Sequence, residues 1–149
     1  MQVGDICKRE VICASAATTV AAAARTMRQY HIGDVIVTRM ETGRRIPLGI
    51  VTDRDIVIGV VATDLAPAAL TVGDIMSTEL ATAEESEDVF DVVQRMRNKG
   101  VRRMPIVDAD ANLVGIVSID DIIEILAEEM NQLAHLISRE QLHEMDARR

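Results

Sequence analysis

The chain has 149 residues, of which 48% are hydrophobic, yet it contains one Phe, one Tyr and no Trp. Its formal net charge of -8 argues against a nucleic-acid-binding surface, which needs a basic face to neutralise phosphates. Cys7 and Cys13 match neither a disulfide framework nor a zinc site, and no apolar segment approaches membrane-spanning length. We therefore expect a cytoplasmic protein with reduced thiols and a core of small aliphatic side chains.

The first part of the chain predicts the element order β-α-β-β-α. An apolar run at 11–13 predicts a strand, and an Ala-rich stretch at 19–30 has the apolar spacing of a helix. Two strands are predicted at 35–37 and 46–51 around a surface loop that covers 40–48. A second helix is expected at 53–61, where aspartates favour the positive N-terminal end.

The second part predicts the same order. A strand at 80–82 precedes a helix at 86–99, with Ser86 as the expected N-cap and Gly100 as the expected stop. Strands are predicted at 104–107 and 113–117, and a long helix is expected from Asp120 to about Met145. Because neither half is large enough to bury a generous core alone, the two should pack face to face.

The two halves also repeat at the level of residues. The sequence VGDI at 3–6 returns at 72–75, and GIVTDRDI at 49–56 returns as GIVSIDDI at 115–122. The offset falls from 69 to 66 residues between these matches, which places extra length in the 40–48 loop of the first half. We divide the chain into repeat 1 at 1–66, repeat 2 at 67–128 and a C-terminal helical tail at 129–149.

Each repeat carries the pattern Gly-apolar-Val-(Ser/Thr)-x-x-Asp at a strand-to-helix junction. The glycine lets a ligand approach the backbone, and the hydroxyl of Thr52 or Ser118 can meet a phosphate at a helix N-terminus. The carboxylate of Asp55 or Asp121 can accept both hydroxyls of a ribose. A single copy would more often be an ordinary helix cap. Two copies at equivalent positions favour a nucleoside-phosphate site.

With the segment GVRRMPIVD at 100–108, these motifs resemble a cystathionine β-synthase (CBS) domain pair, or Bateman module, over residues 3 to about 126. The chain is most similar to small stand-alone bacterial members. The resemblance implies an α+β fold of two β-α-β-β-α repeats, packed with pseudo-two-fold symmetry and followed by a C-terminal helical extension. It also implies a regulatory homodimer that acts on an unknown partner protein. The ligand would be AMP, ADP or ATP, or less often S-adenosylmethionine or NAD, and no cofactor is required.

Carried over residue by residue, the resemblance assigns a first cleft. Asp55 would hold the ribose, and Thr52 and the arginines would hold the phosphates. The base would lie against Met104 and backbone groups near Ala81. The full set for this cleft is Thr52, Arg54, Asp55, Ala81, Thr82, Arg102, Arg103 and Met104.

The second cleft would combine Ser118 and Asp121 with residues around Cys13 and Gly33-Asp34. Here the chain departs from the family pattern, because Asp34 occupies the position equivalent to Arg103. A carboxylate repels a phosphate, so we expect this cleft to bind anions poorly or to prefer an uncharged nucleoside. The two clefts should therefore be occupied unequally.

Several patterns leave simpler alternatives open. No nucleophile with its base and no dinucleotide or P-loop motif is present, so we expect no enzymatic activity. Arg44-Arg45 is interpreted as a solvated pair. An apolar stripe in the last helix, Leu126, Met130, Leu133 and Ile137, either packs on its own sheet or contacts a second protein. The competing function is a ligand-free structural module for dimerisation or protein interaction.

Overall fold

The computed structural model describes residues 1–148 and divides into two compact units, Met1–Val117 and a second unit that begins at Ser118. The first repeat consists of α1 (Val3–Ile6), β1 (Cys13–Ala14), α2 (Val20–Tyr30), β2 (Asp34–Glu41), β3 (Arg44–Thr52) and α3 (Asp53–Ile56), which continues as a π-helical turn at Val57–Val61. The second repeat consists of α4 (Val72–Ile75), β4 (Ala83–Glu84), α5 (Val89–Lys99), β5 (Arg103–Val107) and β6 (Leu113–Ser118), followed by α6 (Ile119–Ala147).

The two sheets have the same topology. Each has three strands in the order of the chain, β1-β2-β3 and β4-β5-β6. In both, the short first strand lies parallel to the second, with Cys13 opposite Ile36 and Ala83 opposite Ile106. The expected α+β fold of two equivalent repeats with a C-terminal helix is confirmed.

The main helix of each repeat begins and ends as its sequence dictates, with one exception. Thr19 caps α2 by accepting a hydrogen bond from the backbone N–H of Ala22 at 3.1 Å, and α5 ends at Gly100 in the left-handed conformation. The prediction of Ser86 as N-cap of α5 is wrong. Asp88 takes that position, because its carboxylate accepts the N–H of Phe90 at 2.9 Å.

The predicted 40–48 loop is also wrong. Strands β2 and β3 pair along almost their whole length, from Asp34 opposite Thr52 to Glu41 opposite Arg44. Only Thr42 and Gly43 form the turn, both with positive φ, as a tight hairpin requires. The extra residues of repeat 1 therefore lengthen a hairpin. The predicted strands at 11–13 and 80–82 lie slightly upstream of the observed pairs.

The opening segments of the repeats are exchanged. The N–H groups of Val3 and Gly4 donate to the carbonyl oxygens of Glu87 and Glu85 at 2.8 and 2.9 Å. In repeat 2, Val72 and Gly73 donate equivalently to Thr18 and Ala16 at 2.8 and 3.0 Å. Val72 belongs to the core of repeat 1, which it shares with Val20, Val35, Val51 and Ile56, among others. Each repeat thus completes the other.

This exchange explains the repeated VGDI sequence. A Cβ atom at Gly4 would lie 2.7 Å from the carbonyl oxygen of Glu85, and one at Gly73 would lie 2.8 Å from that of Ala16. Only glycine permits these approaches. Two antiparallel bridges extend the exchange, Lys8 with Ile116 and Ser77 with Ile50. The pseudo-two-fold relation between the repeats therefore extends to individual hydrogen bonds.

The second unit consists mainly of α6, whose N-cap is Ser118. Its large apolar side chains from Ile123 to Met145 are exposed apart from Ile125, which is partly buried. Within residues 1–148, no helix is both long and apolar enough to span a bilayer.

Candidate functional site

The first Thr-x-x-Asp motif forms a closed set of hydrogen bonds at the start of α3. Thr52 Oγ1 accepts the N–H of Asp55 at 3.1 Å, and Asp55 Oδ2 accepts the N–H of Thr52 at 2.8 Å. This is a capping box, so the capping alternative describes the bonds made within the chain. It leaves acceptor capacity for a ligand, because an ionised carboxylate has about four lone-pair sites.

A cavity of about 310 Å³ lies beside this motif. It is lined by Arg54, Asp55, Ile58, Gly59 and Ile75. Two charged side chains therefore share a hollow with two branched aliphatic ones, a mixture typical of small-molecule sites. Ile75 belongs to the exchanged α4, so both repeats contribute to the wall. Sequence reasoning missed Ile58, Gly59 and Ile75, since nothing in their pattern separates them from ordinary helix residues.

The motif glycines allow a close approach of the chain itself, and a role of these glycines toward a ligand stays a prediction. A Cβ atom at Gly49 would lie 2.6 Å from the carbonyl oxygen of Ser77. The equivalent atom at Gly115 would lie 2.5 Å from Cys7 Sγ and 3.0 Å from the carbonyl oxygen of Lys8. The close approach that requires glycine is made by the exchanged segments of the chain itself.

Asp34 and Arg103, equivalent in the two repeats, contact each other. Arg103 Nε lies 2.8 Å from Asp34 Oδ1, and the two side chains are 34% and 14% exposed. Burial raises the pKa of the Asp34 carboxyl, Arg103 opposes that rise, and Asp53 adds to it. The Asp34 carboxylate is therefore paired with a guanidinium, and weak anion binding in the second cleft stays a prediction. The sequence did not show this pairing because the contact joins residues that are 69 positions apart.

The other residues predicted for the first cleft have varied surroundings. Ala81 and Thr82 are partly buried, and the carbonyl oxygen of Thr82 accepts a hydrogen bond from Arg95 Nη1 at 2.8 Å. Arg102 is exposed, whereas the Met104 side chain is completely buried. Their contact with a ligand next to Asp55 stays a prediction.

The second motif makes the same cap at the start of α6. Ser118 Oγ accepts the N–H of Asp121 at 3.2 Å, and Asp121 Oδ2 accepts the N–H of Ser118 at 3.1 Å. The Ser118 hydroxyl also lies 2.5 Å from Asp121 Oδ2 and donates to it. The role of both residues in a second ligand cleft stays a prediction.

Cys13, also predicted for the second cleft, lines a cavity of about 490 Å³ together with Thr38, Met40 and Arg45. Arg45 Nη1 donates to Cys13 Sγ at 3.9 Å. Burial raises the pKa of the Cys13 thiol, and the neighbouring Arg45 only partly opposes this. The thiol is therefore protonated near neutral pH, which does not favour a nucleophilic role.

The prediction that Arg44-Arg45 is a solvated pair holds for the exposed side chain of Arg45 but not for Arg44, which is half-buried. Arg44 Nη1 donates to the carbonyl oxygen of Asp110 at 3.1 Å, and the backbone N–H of Arg45 donates to Asn112 Oδ1 at 2.9 Å. The lengthened hairpin of repeat 1 thus contacts the β5–β6 turn of repeat 2. Among residues 1–148, no three His, Cys, Asp or Glu side chains are grouped as metal ligands.

Curated relatives share most of this chain. A protein called MK0525 from Methanopyrus kandleri is 38% identical over 125 residues, 84% of this chain, which spans only 62% of that relative's length. The CBS domain-containing protein YhcV of Bacillus subtilis is 35% identical over 120 residues, covering 80% of this chain and 81% of YhcV.

Solved structures share the fold. The CBS domain pair of protein MJ0100, in complex with 5-methylthioadenosine and S-adenosyl-L-methionine, aligns with a TM-score of 0.75 and 27% identity over 87% of this chain and 98% of that one. A hexameric CBS-CP12 protein from bloom-forming cyanobacteria aligns with a TM-score of 0.73 and 28% identity over 83% of this chain and 69% of that one.

The family model described as the CBS domain matches twice, at residues 3–61 and 72–128. These ranges contain both exchanged VGDI segments and both Ser/Thr-x-x-Asp caps. The chain therefore belongs to the CBS domain family and carries a pair of such domains.

Proposed function

We propose that this CBS pair is a non-catalytic regulatory module that binds an adenine nucleotide beside Asp55. The cavity of about 310 Å³ lined by Arg54, Asp55 and apolar side chains carries the proposal. An adenosine ligand needs an acceptor for its ribose hydroxyls, a cation near its phosphate and apolar surface for its base. Asp55, Arg54 and the pair Ile58 and Ile75 have those properties.

The ligands of MJ0100 support the adenosine part of this proposal, because both contain that group. The charge of the ligand is a separate question. Arg103 is assigned to the phosphate, yet its guanidinium is held by Asp34. An anionic ligand that uses Arg103 must compete with that carboxylate. We therefore expect the Asp34–Arg103 pair to weaken the binding of AMP and ATP relative to that of uncharged adenosine.

The exchanged segment supplies a route from ligand to regulation. Ile75 lies at the cavity, and Val72 in the same short helix is buried in the core of repeat 1. A ligand that contacts Ile75 acts on the packing between the repeats. If the repeats have two packing states, the ligand can change the equilibrium between them only by as much as its affinity for the two states differs.

Isothermal titration with AMP tests the site through two matched variants. Asp55→Ala removes a capping box at the cavity. Asp74→Ala removes an equivalent box, in which Asp74 Oδ2 accepts the N–H of Thr71 at 2.9 Å. Both variants should lose about 1 kcal/mol of stability. Only Asp55→Ala should lose AMP affinity, by tenfold or more. Equal affinity of the two variants would refute the site.

The second candidate is a ligand-free structural module. It is favoured by the caps themselves, since the polar groups of Thr52 and Asp55 already satisfy each other. Thermal unfolding with AMP, ADP, ATP, S-adenosylmethionine and NAD separates the two functions. No rise in the melting temperature with any of them at millimolar concentration would favour the structural module, because a ligand of the native state must stabilise it.

We also propose that the protein self-associates as a homodimer. The exposed apolar side chains Val57 and Val61 of the π-helical turn support an interface, as do those of α6. The hexameric CBS-CP12 protein is an example of assembly in a solved structure of this fold.

A further inference from the structure

Helix α6 exposes an apolar stripe along one side. Ile123, Leu126, Met130, Leu133 and Ile137 are between 42 and 71% exposed. Their separations of three, four, three and four residues match the a and d positions of a heptad repeat. The sequence left two alternatives for this stripe, packing on its own sheet or contact with a second protein. Its exposure leaves the stripe available for contact with a second protein.

The charges of α6 are distributed asymmetrically along its length. The first half carries five carboxylates and no basic residue, namely Asp120, Asp121, Glu124, Glu128 and Glu129. Beyond Met130, acidic residues alternate with Arg139, Arg148 and two histidines, His135 and His143. One end of the helix is therefore strongly acidic, and the other is nearly balanced.

We infer that this stripe pairs with the same stripe of a second copy of the chain, with the two helices antiparallel. The inference rests on the proposed self-association but not on ligand binding. A parallel pair would place two acidic halves about 10 Å apart, close to the screening length at physiological ionic strength. An antiparallel pair places each acidic half beside the half that contains Arg139 and the histidines.

The choice of a second copy follows from self-complementarity. A two-fold dimer requires one surface that matches itself after rotation. A stripe with one acidic and one balanced end meets that requirement when the helices run in opposite directions. We place the two-fold axis between positions 131 and 132. In this register Leu126 lies opposite the partner's Ile137, and Met130 lies opposite the partner's Leu133. The small side chains of Ala127 and Ala134, each next to a d position, allow the helices to approach closely.

The residues paired in this register, Leu126 to Ile137, cover about three turns, or roughly 16 Å of helix. Such a contact is smaller than a standard stable interface. The helix pair should therefore dissociate on dilution.

Light scattering coupled to size exclusion tests the surface, with Leu133→Lys against Leu142→Lys. Leu133 and Leu142 are 61% and 63% exposed and lie nine residues apart, so they project from opposite faces of the helix. Leu133→Lys should halve the mass of the wild-type assembly at about 100 µM protein, and Leu142→Lys should leave it unchanged. Circular dichroism verifies that both variants keep their helix.

The outcomes separate the two proposals. A monomeric wild type would refute both self-association and this surface. A wild-type assembly whose mass Leu133→Lys does not change would refute the surface alone.

Disulfide trapping tests the direction. The double variant Leu126→Cys, Ile137→Cys should form intermolecular 126–137 links under mild oxidation, identified by mass spectrometry of the linked peptides. Leu126→Cys alone should form no 126–126 link, because the two positions lie about 16 Å apart along an antiparallel pair. Efficient 126–126 linkage would show a parallel pair and overturn the inference.

Discussion

The opening segments of the two repeats make the same backbone hydrogen bonds to the opposite repeat, whereas the strands that follow differ in charge at equivalent positions. Val3 and Val72 donate over the same distance of 2.8 Å. Asp34 and Arg103, in contrast, carry opposite charges and pair with each other. The opening segments that hold the two repeats together are equivalent, whereas Asp34 and Arg103 are not. The first group determines the architecture, and we propose that the second affects which ligands bind.

The largest effect is expected at the exchanged glycines. Gly4→Ala and Gly73→Ala should each lower the free energy of unfolding by about 2–4 kcal/mol, because the new methyl group would overlap a backbone carbonyl and disrupt a hydrogen bond. Chemical denaturation measures both. Gly59→Ala is the control, since its methyl group would meet no atom within 4 Å, and in a helix it should be neutral or stabilise by up to about 1 kcal/mol. If only one of the two variants lowered the free energy of unfolding, the two opening segments would make the same hydrogen bonds without contributing equally to stability.

A smaller effect is expected when the negative charge of Asp34 is removed. Asp34→Asn keeps the shape of the side chain and leaves Arg103 without its carboxylate. Affinity for AMP should rise by about tenfold, equivalent to about 1.4 kcal/mol, while affinity for adenosine should stay unchanged. Titration calorimetry with both compounds measures these affinities for the wild type and the variant. An equal change for both would mean that Arg103 does not meet the phosphate.

The smallest effect concerns an ion pair that only repeat 2 contains. Arg95 binds Glu87 through both terminal guanidinium nitrogens, Nη1 and Nη2, whereas the equivalent positions in repeat 1 hold Thr18 and Thr26. The hydrogen bond from Arg95 lowers the pKa of Glu87. Such a group stabilises the fold above its unfolded pKa, and this contribution is lost as the pH falls through the folded pKa. Glu87→Gln should therefore lose about 1 kcal/mol or less at pH 7, since the pair is partly exposed.

The difference between wild type and Glu87→Gln should shrink as the pH falls through the lowered pKa of Glu87 and disappear once that carboxyl is protonated in the folded protein. Urea denaturation at pH 7 and at a series of acidic pH values measures it. A difference that does not shrink with falling pH would assign the effect to packing or to the backbone contact of Glu87 with Glu84.

The fold was predictable because its signals are local and occur twice. Thr19 and Gly100 delimit helices by their own chemistry, and the duplicated motifs identified the family. Ser86 failed as a cap because Asp88 offers a better acceptor nearby. The hairpin at 40–48 was misjudged because exposed polar strands lack the apolar alternation by which strands are recognised.

The candidate site was less predictable, because its decisive contacts join distant residues. Thr52 and Asp55 stand out in the sequence, yet nothing in it shows that Ile75 reaches the same cavity. The Asp34–Arg103 pair and the contact of Arg44 with Asp110 likewise depend on how the repeats meet. Residue types identified groups capable of binding, and the three-dimensional arrangement determined which of them are already engaged.

The exchange of opening segments has a consequence for how this protein can be taken apart. A half separated from its partner would lack the segment that closes its core, as repeat 1 would lack Val72. Residues 1–117 should consequently melt in one transition, since neither half retains a complete interior once the other has opened.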